Sequence, residues 1–266
     1  MDFATILGIL SGLGLIGWAM WSLAQDQAIV MFLSTSSLAI VLGGTLAATL
    51  LSFPLREVFR IFGIMGVVFK KERKSMAPFI DEIVELAGAA RRSMKELEGA
   101  LPNISHPFLR DGIQMVIDGY NEPELRDILM TRIENRTKRE KSEANVLKTM
   151  GKFAPAFGMI GTLIGLVVML YSMGSGGGTT DAAAQLGKGM GAALITTFYG
   201  VILANLFFNP MAEKFDSRIK KESTLQMMLI EGAVQLLQRK HPLIVREKLN
   251  SFIPPREWKR EGDANK

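Results

Sequence analysis

The chain has no cysteine and two histidines among its 266 residues. The absence of cysteine excludes disulfides, a thiol nucleophile and a cysteine metal site. Both histidines precede proline, as His106-Pro107 and His241-Pro242. We interpret them as turn residues rather than as catalytic or metal-binding groups. No enzymatic motif accompanies them, so the sequence predicts neither an enzyme nor a resident cofactor or metal.

Charge is missing from four long apolar segments. Each has about the 20 residues that an α-helix needs to cross a bilayer. They run from Phe3 to Ala24, from Gln27 to Leu55, from about Phe153 to Met173 and from about Gly189 to Ala212. The first lacks the basic start of a signal peptide, and a second span follows at once, so we predict a retained membrane helix. Mean hydropathy of +0.21 with 21% charged residues fits a membrane protein that has a large aqueous part.

None of the four spans contains Asp, Glu, His, Lys or Arg at depth. Membrane proteins that move ions usually place an ionisable side chain within a span. Either this chain moves no ions, or another chain supplies the carboxylate and this one lines the path.

Basic residues are distributed unevenly around the spans. The connector at Gln25-Asp26 has none, and the predicted loop 174–188 has only Lys188, whereas 53–152 and the chain after Ala212 are rich in Lys and Arg. By the positive-inside rule, both termini and the middle segment are cytoplasmic. This asymmetry accounts for the pI of about 9.4 without nucleic-acid binding.

The predicted fold is all-α. Apolar residues at helical spacing predict a helix from Phe79 to Leu97, ended by Gly99 and Pro102, then one over about 108–119 and a third after Asn121. The predicted organisation is a membrane hairpin (1–55), a cytoplasmic helical domain (56–150), spans three and four (151–212), and a cytoplasmic C-terminal helix and tail (213–266).

Small and hydroxyl-bearing residues mark spans three and four. Gly161 and Gly165 form a small-xxx-small pattern that lets helices approach closely. Thr162, Thr196 and Thr197 place hydroxyls among apolar side chains, and Gly200 extends the small face of span four. Ordinary helix packing also explains the threonines, because a threonine can bond the carbonyl one turn back.

Two prolines flank these spans. Pro155 lies near the start of span three and Pro210 near the end of span four. A proline there permits a kink, and a simple helix boundary explains it equally well.

Several motifs are distributed over the whole chain. They are MGKFAPAFGMIGTLIGLVVML and GAALITTFYGVILANLFFNPMAEK in spans three and four, MDFATILGILSG and VLGGTLAATLLSFP in the first two spans, and ELAGAARR and DGIQMVIDG between them. Together these motifs resemble those of the A subunits of flagellar motor stators, the MotA/PomA family. The related ExbB/TolQ energisers of outer-membrane transport lack the N-terminal hairpin of two spans.

The resemblance implies a bacterial inner-membrane protein that forms a ring, a pentamer, around a B subunit (MotB/PomB type). The B subunit would supply a membrane aspartate and a peptidoglycan anchor, and cation flow would turn the rotor switch protein (FliG type). Pro155 and Pro210 match the family's coupling prolines. Arg91 matches its basic rotor contact, and Glu98, or alternatively Glu96, matches the acidic one.

The resemblance also bears on the ion. Thr162 and Thr196 match positions where sodium-driven relatives carry hydroxyls, and Thr197 is a further candidate for the path. We therefore predict a sodium-driven stator. A proton-driven stator, an ExbB/TolQ-like energiser and a structural membrane scaffold are the alternatives.

Overall fold

A computed structural model describes residues 3–24, 32–68, 75–174 and 179–258. All regular secondary structure in the described part is helical. Its α-helices are α1 (Phe3–Ala24), α2 (Thr35–Ser52), α3 (Leu55–Val68), α4 (Ala77–Arg92), α5 (Met94–Ala100), α6 (Pro107–Ile117), α7 (Glu122–Gly174), α8 (Thr179–Ile202), α9 (Asn209–Leu237) and α10 (Pro242–Asn250). A π-helical segment, Leu203–Phe208, joins α8 to α9, and Leu101–Asn103 and Pro255–Glu257 are 3₁₀ turns. The all-α prediction is confirmed for these residues.

Among the described residues, three helices are long and apolar enough to cross a membrane, namely α2, the C-terminal part of α7, and α8 with its continuation. The described apolar part of α1, Ile6–Ser22, is shorter. The first predicted crossing therefore stays a prediction, although α1 itself is helical over 22 residues. The predicted connector at Gln25-Asp26 lies outside the described residues.

The predicted loop 174–188 is wrong in its second half. The helix α8 begins at Thr179, ten residues before the predicted start of span four. The run Ala182-Ala183-Ala184 carries high helix propensity, and it outweighs the glycines and threonines that suggested a loop. Residues 175–178 lie outside the described part.

The predicted helix from Phe79 to Leu97 is also wrong, because the structure divides it at Ser93. Ser93 is extended (φ −162°, ψ 153°), and its hydroxyl accepts a hydrogen bond from the N–H of Glu96 as the N-cap of α5. A serine cap satisfies a free amide at a helix start and so stabilises the break. Arg91 and Glu98 therefore lie on two different helices, not on one face of a single helix.

The chain folds into two compact units. One comprises Met1–Glu72 and Lys141–Asp216, and the other comprises Arg73–Glu140 and Ser217–Lys266. Because α7 and α9 each contribute to both units, neither unit is a continuous stretch of sequence.

The second unit has its own hydrophobic core. Helices α4 to α6, the start of α7, α9 and α10 bury large side chains in it, among them Ile83, Leu97, Ile113, Leu129 and Met228. Both histidines serve as N-caps: His106 Nδ1 accepts from the N–H of Phe108, and His241 Nδ1 accepts from that of Leu243. Both histidines, which we interpreted as turn residues, therefore cap the first turn of a helix.

A polar cluster links α6, α7 and α9 in this unit. The Nε2 of buried His106 lies 3.6 Å from Glu222 Oε1, and Arg136 bonds the same oxygen at 3.2 Å. The contact with His106 lowers the pKa of Glu222, burial opposes this, and the charge of Arg136 lowers it further. Glu222 therefore favours folding in its ionised form.

We predict that Glu222→Gln reduces the acid sensitivity of this unit. A lowered folded-state pKa stabilises the fold above the ordinary value of 4.5, and that stability is lost as the pH falls through the folded pKa. At pH 7 the variant should lose about 1 kcal/mol. Thermal unfolding of the purified chain at pH 7 and below pH 4.5 measures both effects. The exposed Glu247→Gln is the control, and equal acid sensitivity of wild type and Glu222→Gln would refute the role of this cluster.

Candidate functional site

The helices α7 and α8 touch through their backbones in the first unit. A Cβ added at Gly165 would lie 2.9 Å from the carbonyl oxygen of Gly189, and one at Gly158 would lie 3.0 Å from that of Thr196. At Gly200 it would lie 2.6 Å from the carbonyl oxygen of Ala154. Backbone atoms cannot move aside cheaply, so glycine is required at these three points. Their spacing fixes the register of the two helices.

Gly161 lies in the same seam but faces a side chain. An added Cβ would come within 2.6 Å of the Cβ of Thr196. Thr196 is 2% exposed, and its hydroxyl donates to the carbonyl of Ala193 at 2.7 Å. Thr196 therefore fills the space over Gly161, and its hydroxyl is satisfied within α8.

Thr162 and Thr197 meet across the seam. Their hydroxyl oxygens are 2.5 Å apart, and Thr162 Oγ1 also lies 3.1 Å from the carbonyl oxygens of Gly158 and Ala193. Thr197 Oγ1 is 3.3 Å from the Gly158 oxygen. Each hydroxyl has one proton and two lone pairs. The four oxygens form a cluster, here called the oxygen cluster, that has more acceptor sites than protons.

The three threonines predicted to line the ion path all lie in the α7–α8 seam. The resemblance to sodium-driven relatives suggested Thr162 and Thr196, with Thr197 as a further candidate. The structure brings Thr197 to Thr162 and turns Thr196 toward Gly161. Both threonine hydroxyls in the cluster are partly buried.

The two prolines lie within continuous helical backbone. Pro155 is inside α7, and Pro210 is the second residue of α9, directly after the π-helical segment. There the N–H of Asn209 donates to the carbonyl of Ala204, five residues back. Proline removes an amide and crowds the carbonyl four residues earlier, so the wider turn relieves the crowding at Leu206.

The segments around Pro155 and Pro210 both lie where the two long helices contact each other. The Asn209 side chain abuts Gly151, which is four residues before Pro155, and a Cβ on Gly200 would lie 3.1 Å from the Cα of Pro155. The wider helical turn that precedes Pro210 therefore contacts α7 through Asn209.

The fourth span also contains two asparagines, although hydroxyls were the only polar groups predicted there. Asn205 Nδ2 donates to the carbonyl of Val201 at 3.1 Å, and Asn209 Nδ2 lies 3.5 Å from Asn205 Oδ1. Both asparagines can be recognised in the sequence as unusual, because polar side chains are uncommon within an uncharged apolar segment.

The predicted rotor contacts are at the surface of the second unit. Arg91 and Glu98 are exposed, and neither forms an ion pair within the described residues. Glu96, the alternative acidic position, bonds Arg92 Nε at 2.5 Å. The charge of Glu96 is therefore partly neutralised by its neighbour.

A tightly packed seam of small and hydroxyl-bearing residues is typical of helix packing in membrane proteins. A sequence profile of the MotA/TolQ/ExbB proton channel family matches residues 100–228. Motility protein A of Borreliella burgdorferi is 33% identical, and the match covers 97% of this chain and 96% of that one. PomA of Vibrio alginolyticus is 32% identical, covering 95% and 96%.

The chain therefore belongs to the motility protein A family of flagellar stator A subunits, which confirms the resemblance drawn from the motifs. The fold agrees. The MotAB stator complex from Bacillus subtilis contains a chain that matches with a TM-score of 0.84 and 26% identity, over 95% of this chain and 96% of that one. MotAB of C. jejuni has the same fold, with a TM-score of 0.85.

We predict that Gly200→Ala destabilises the α7–α8 seam by about 1 to 3 kcal/mol, because the added methyl overlaps the Ala154 carbonyl. Thermal unfolding of the purified protein measures the loss. Gly191→Ala on the same helix is the matched control, since a Cβ there meets nothing within 4 Å. Equal melting temperatures for the two variants would contradict the close approach.

Proposed function

We propose that this chain is the A subunit of a flagellar stator that couples sodium influx to rotation of the motor. The oxygen cluster in the α7–α8 seam carries the proposal. Within the described residues, α7 from Phe153 onward has no Asp, Glu, His, Lys or Arg. The ionisable group that binds the moving cation therefore comes from a second chain, a MotB/PomB-type subunit.

The cluster favours sodium over protons by its chemistry. A sodium ion must replace hydration oxygens with protein oxygens, as ions do in selectivity filters lined by carbonyls. The oxygen cluster offers two hydroxyl and two carbonyl oxygens, which are linked by contacts of 2.5 to 3.3 Å. A proton bound to a carboxylate has no such requirement.

The proposed topology has both termini in the cytoplasm, which the uneven distribution of Lys and Arg supports. Exposed Trp18 and Trp21 near the end of α1, and exposed Tyr171 near the end of α7, suit the membrane–water boundary. These helix ends adjoin the connectors poor in Lys and Arg, so they face the periplasm in an inner-membrane protein.

The membrane helices also leave surface for assembly. Leu163, Val167 and Leu170 of α7 are each more than 60% exposed within the single chain. Lipid, neighbouring copies and the second chain share these surfaces in a ring of A subunits, for which we propose five copies. The two-span start of the chain, and its match along nearly the whole length of motility protein A, favour a motor subunit over an ExbB/TolQ-like energiser.

Prolines and surface charges provide the coupling to the rotor. The contact of Asn209 with Gly151 and of Gly200 with Pro155 links the two proline sites, so a displacement at the oxygen cluster reaches the cytoplasmic ends of α7 and α9. Arg91 and Glu98 then contact the rotor switch protein. Such exposed charges steer docking and register more than they add affinity.

Thr162→Val should raise the external sodium concentration that gives half-maximal swimming speed by about tenfold, since it removes one oxygen and keeps the volume. Thr197→Val should act in the same direction. The assay is swimming speed against external sodium at fixed pH, in cells whose motility depends on this chain. Ser52→Ala is the control, because that hydroxyl bonds only the carbonyl of Ala48 at an exposed site. Undiminished swimming without sodium would defeat the sodium assignment.

Arg91→Glu should abolish most torque while leaving membrane abundance and sodium uptake unchanged. The reversed charge opposes docking, and like charges at an interface cost several kcal/mol. Rotation of tethered cells measures the torque. Lys240→Glu, at another exposed site of the same unit, is the control, and equal torque in both variants would exclude Arg91 from the contact.

A further inference from the structure

An apolar cavity of about 170 Å³ lies in the first unit. It is formed by side chains of α2, α3, α7 and the π-helical segment, namely Leu42, Leu46, Val58, Ile61, Met150 and Phe208. Thr45 also reaches it, but the Thr45 hydroxyl donates to the carbonyl of Val41 at 2.6 Å. The cavity therefore offers no free hydrogen-bonding group from the residues that line it.

The cavity is buried at its base and open at one side. Val58 and Ile61 are each 4% exposed, whereas Leu46 is 38% exposed and is the most accessible of the lining side chains. Apolar cavities of about 150 Å³ stay dry and accept apolar ligands such as benzene. Water does not fill such a space, so a hydrocarbon group is the fitting occupant.

The helix α3, which supplies one wall, is built for a membrane surface. It begins three residues after α2 ends, so it lies at the end of a membrane span. Leu55 and Phe59, four residues apart, share one exposed apolar face. Arg56 and Arg60 share the adjacent exposed face. Helices with apolar and basic faces bind in the plane of an anionic membrane surface.

We propose that this cavity holds an acyl chain of an anionic phospholipid whose headgroup lies at Arg56 and Arg60. The arginines decide the charge of the ligand. Arg60 already pairs with Glu143 at 2.9 Å and stays 64% exposed, and Arg56 makes no ion pair within the described residues. Basic residues beside the cytoplasmic leaflet attract anionic lipids. The proposed membrane orientation is needed only to assign the lipid to the cytoplasmic leaflet. The lipid site does not depend on the proposed ion path.

A neighbouring copy of the chain is the competing occupant. A copy seated there would have to bury the exposed guanidinium groups of Arg56 and Arg60, and burying a charge without a partner is costly. Their charge instead suits a phosphate group, which the aqueous edge of a membrane presents beside its hydrocarbon.

The absence of native cysteine permits a direct test. Leu46→Cys places a single thiol at the opening, and a bulky maleimide added after purification blocks it in a protein that is already folded and assembled. The matched control is Leu51→Cys, on the same helix at a site 90% exposed. Each protein is incubated with mixed micelles of phosphatidylglycerol and phosphatidylcholine, and native mass spectrometry counts the retained lipids.

Labelled Leu46→Cys should retain about tenfold less of both lipids than the unlabelled protein, and labelled Leu51→Cys should retain normal amounts. Arg56→Gln should reduce the preference for phosphatidylglycerol about fivefold, the contribution of one basic residue near the surface. Unchanged retention after labelling Leu46→Cys would overturn the proposal. So would disassembly of the oligomer on labelling without lipid loss, which would assign the cavity to a neighbouring copy. Neither result depends on which ion drives the motor.

Discussion

The backbone contact between α7 and α8 is the constraint on which the rest of the membrane unit depends. Glycines at 158, 165 and 200 bring carbonyls of one helix to the Cα atoms of the other. That distance sets the register, and the register brings Thr162 to Thr197, 35 residues later in the chain. With larger residues the helices would separate, and the two hydroxyls would each turn back to their own helix. The seam therefore creates the oxygen cluster as a consequence of packing.

In the proposed function, the same seam links the oxygen cluster to the two prolines. Below the oxygen cluster, Gly200 packs on Pro155, and Asn209 packs on Gly151. The π-helical segment relieves the crowding that Pro210 imposes, and it carries the wider turn into α9. A packed interface shifts between discrete arrangements rather than deforming gradually. Both α7 and α9 continue from the first unit into the second, and we propose that these helices carry the coupling.

Much of this architecture could be predicted from local pattern. Long uncharged segments predicted the apolar helices of the first unit, and apolar spacing predicted helices of the second. The errors have physical causes. Ser93 divides a helix whose apolar period continues on both sides, and the alanines after Asp181 extend α8 into a segment rich in glycine and threonine. No local signal specifies that Thr162 meets Thr197, because that contact depends on the rotation of two packed helices. Pro210 was the one feature of the sequence that pointed to the π-helical segment. The asparagines beside it were not used in the prediction.

The absence of an acidic group from the described α7–α8 seam makes one measurement decisive. Proteoliposomes with an imposed sodium gradient can hold the purified chain alone, or the chain together with a MotB/PomB-type subunit whose periplasmic region is shortened to open the path. Our account predicts sodium uptake by the complex, its loss when the membrane aspartate of the second chain is replaced by asparagine, and no uptake by the chain alone. Sodium uptake by this chain alone would contradict the claim that a second chain completes the path.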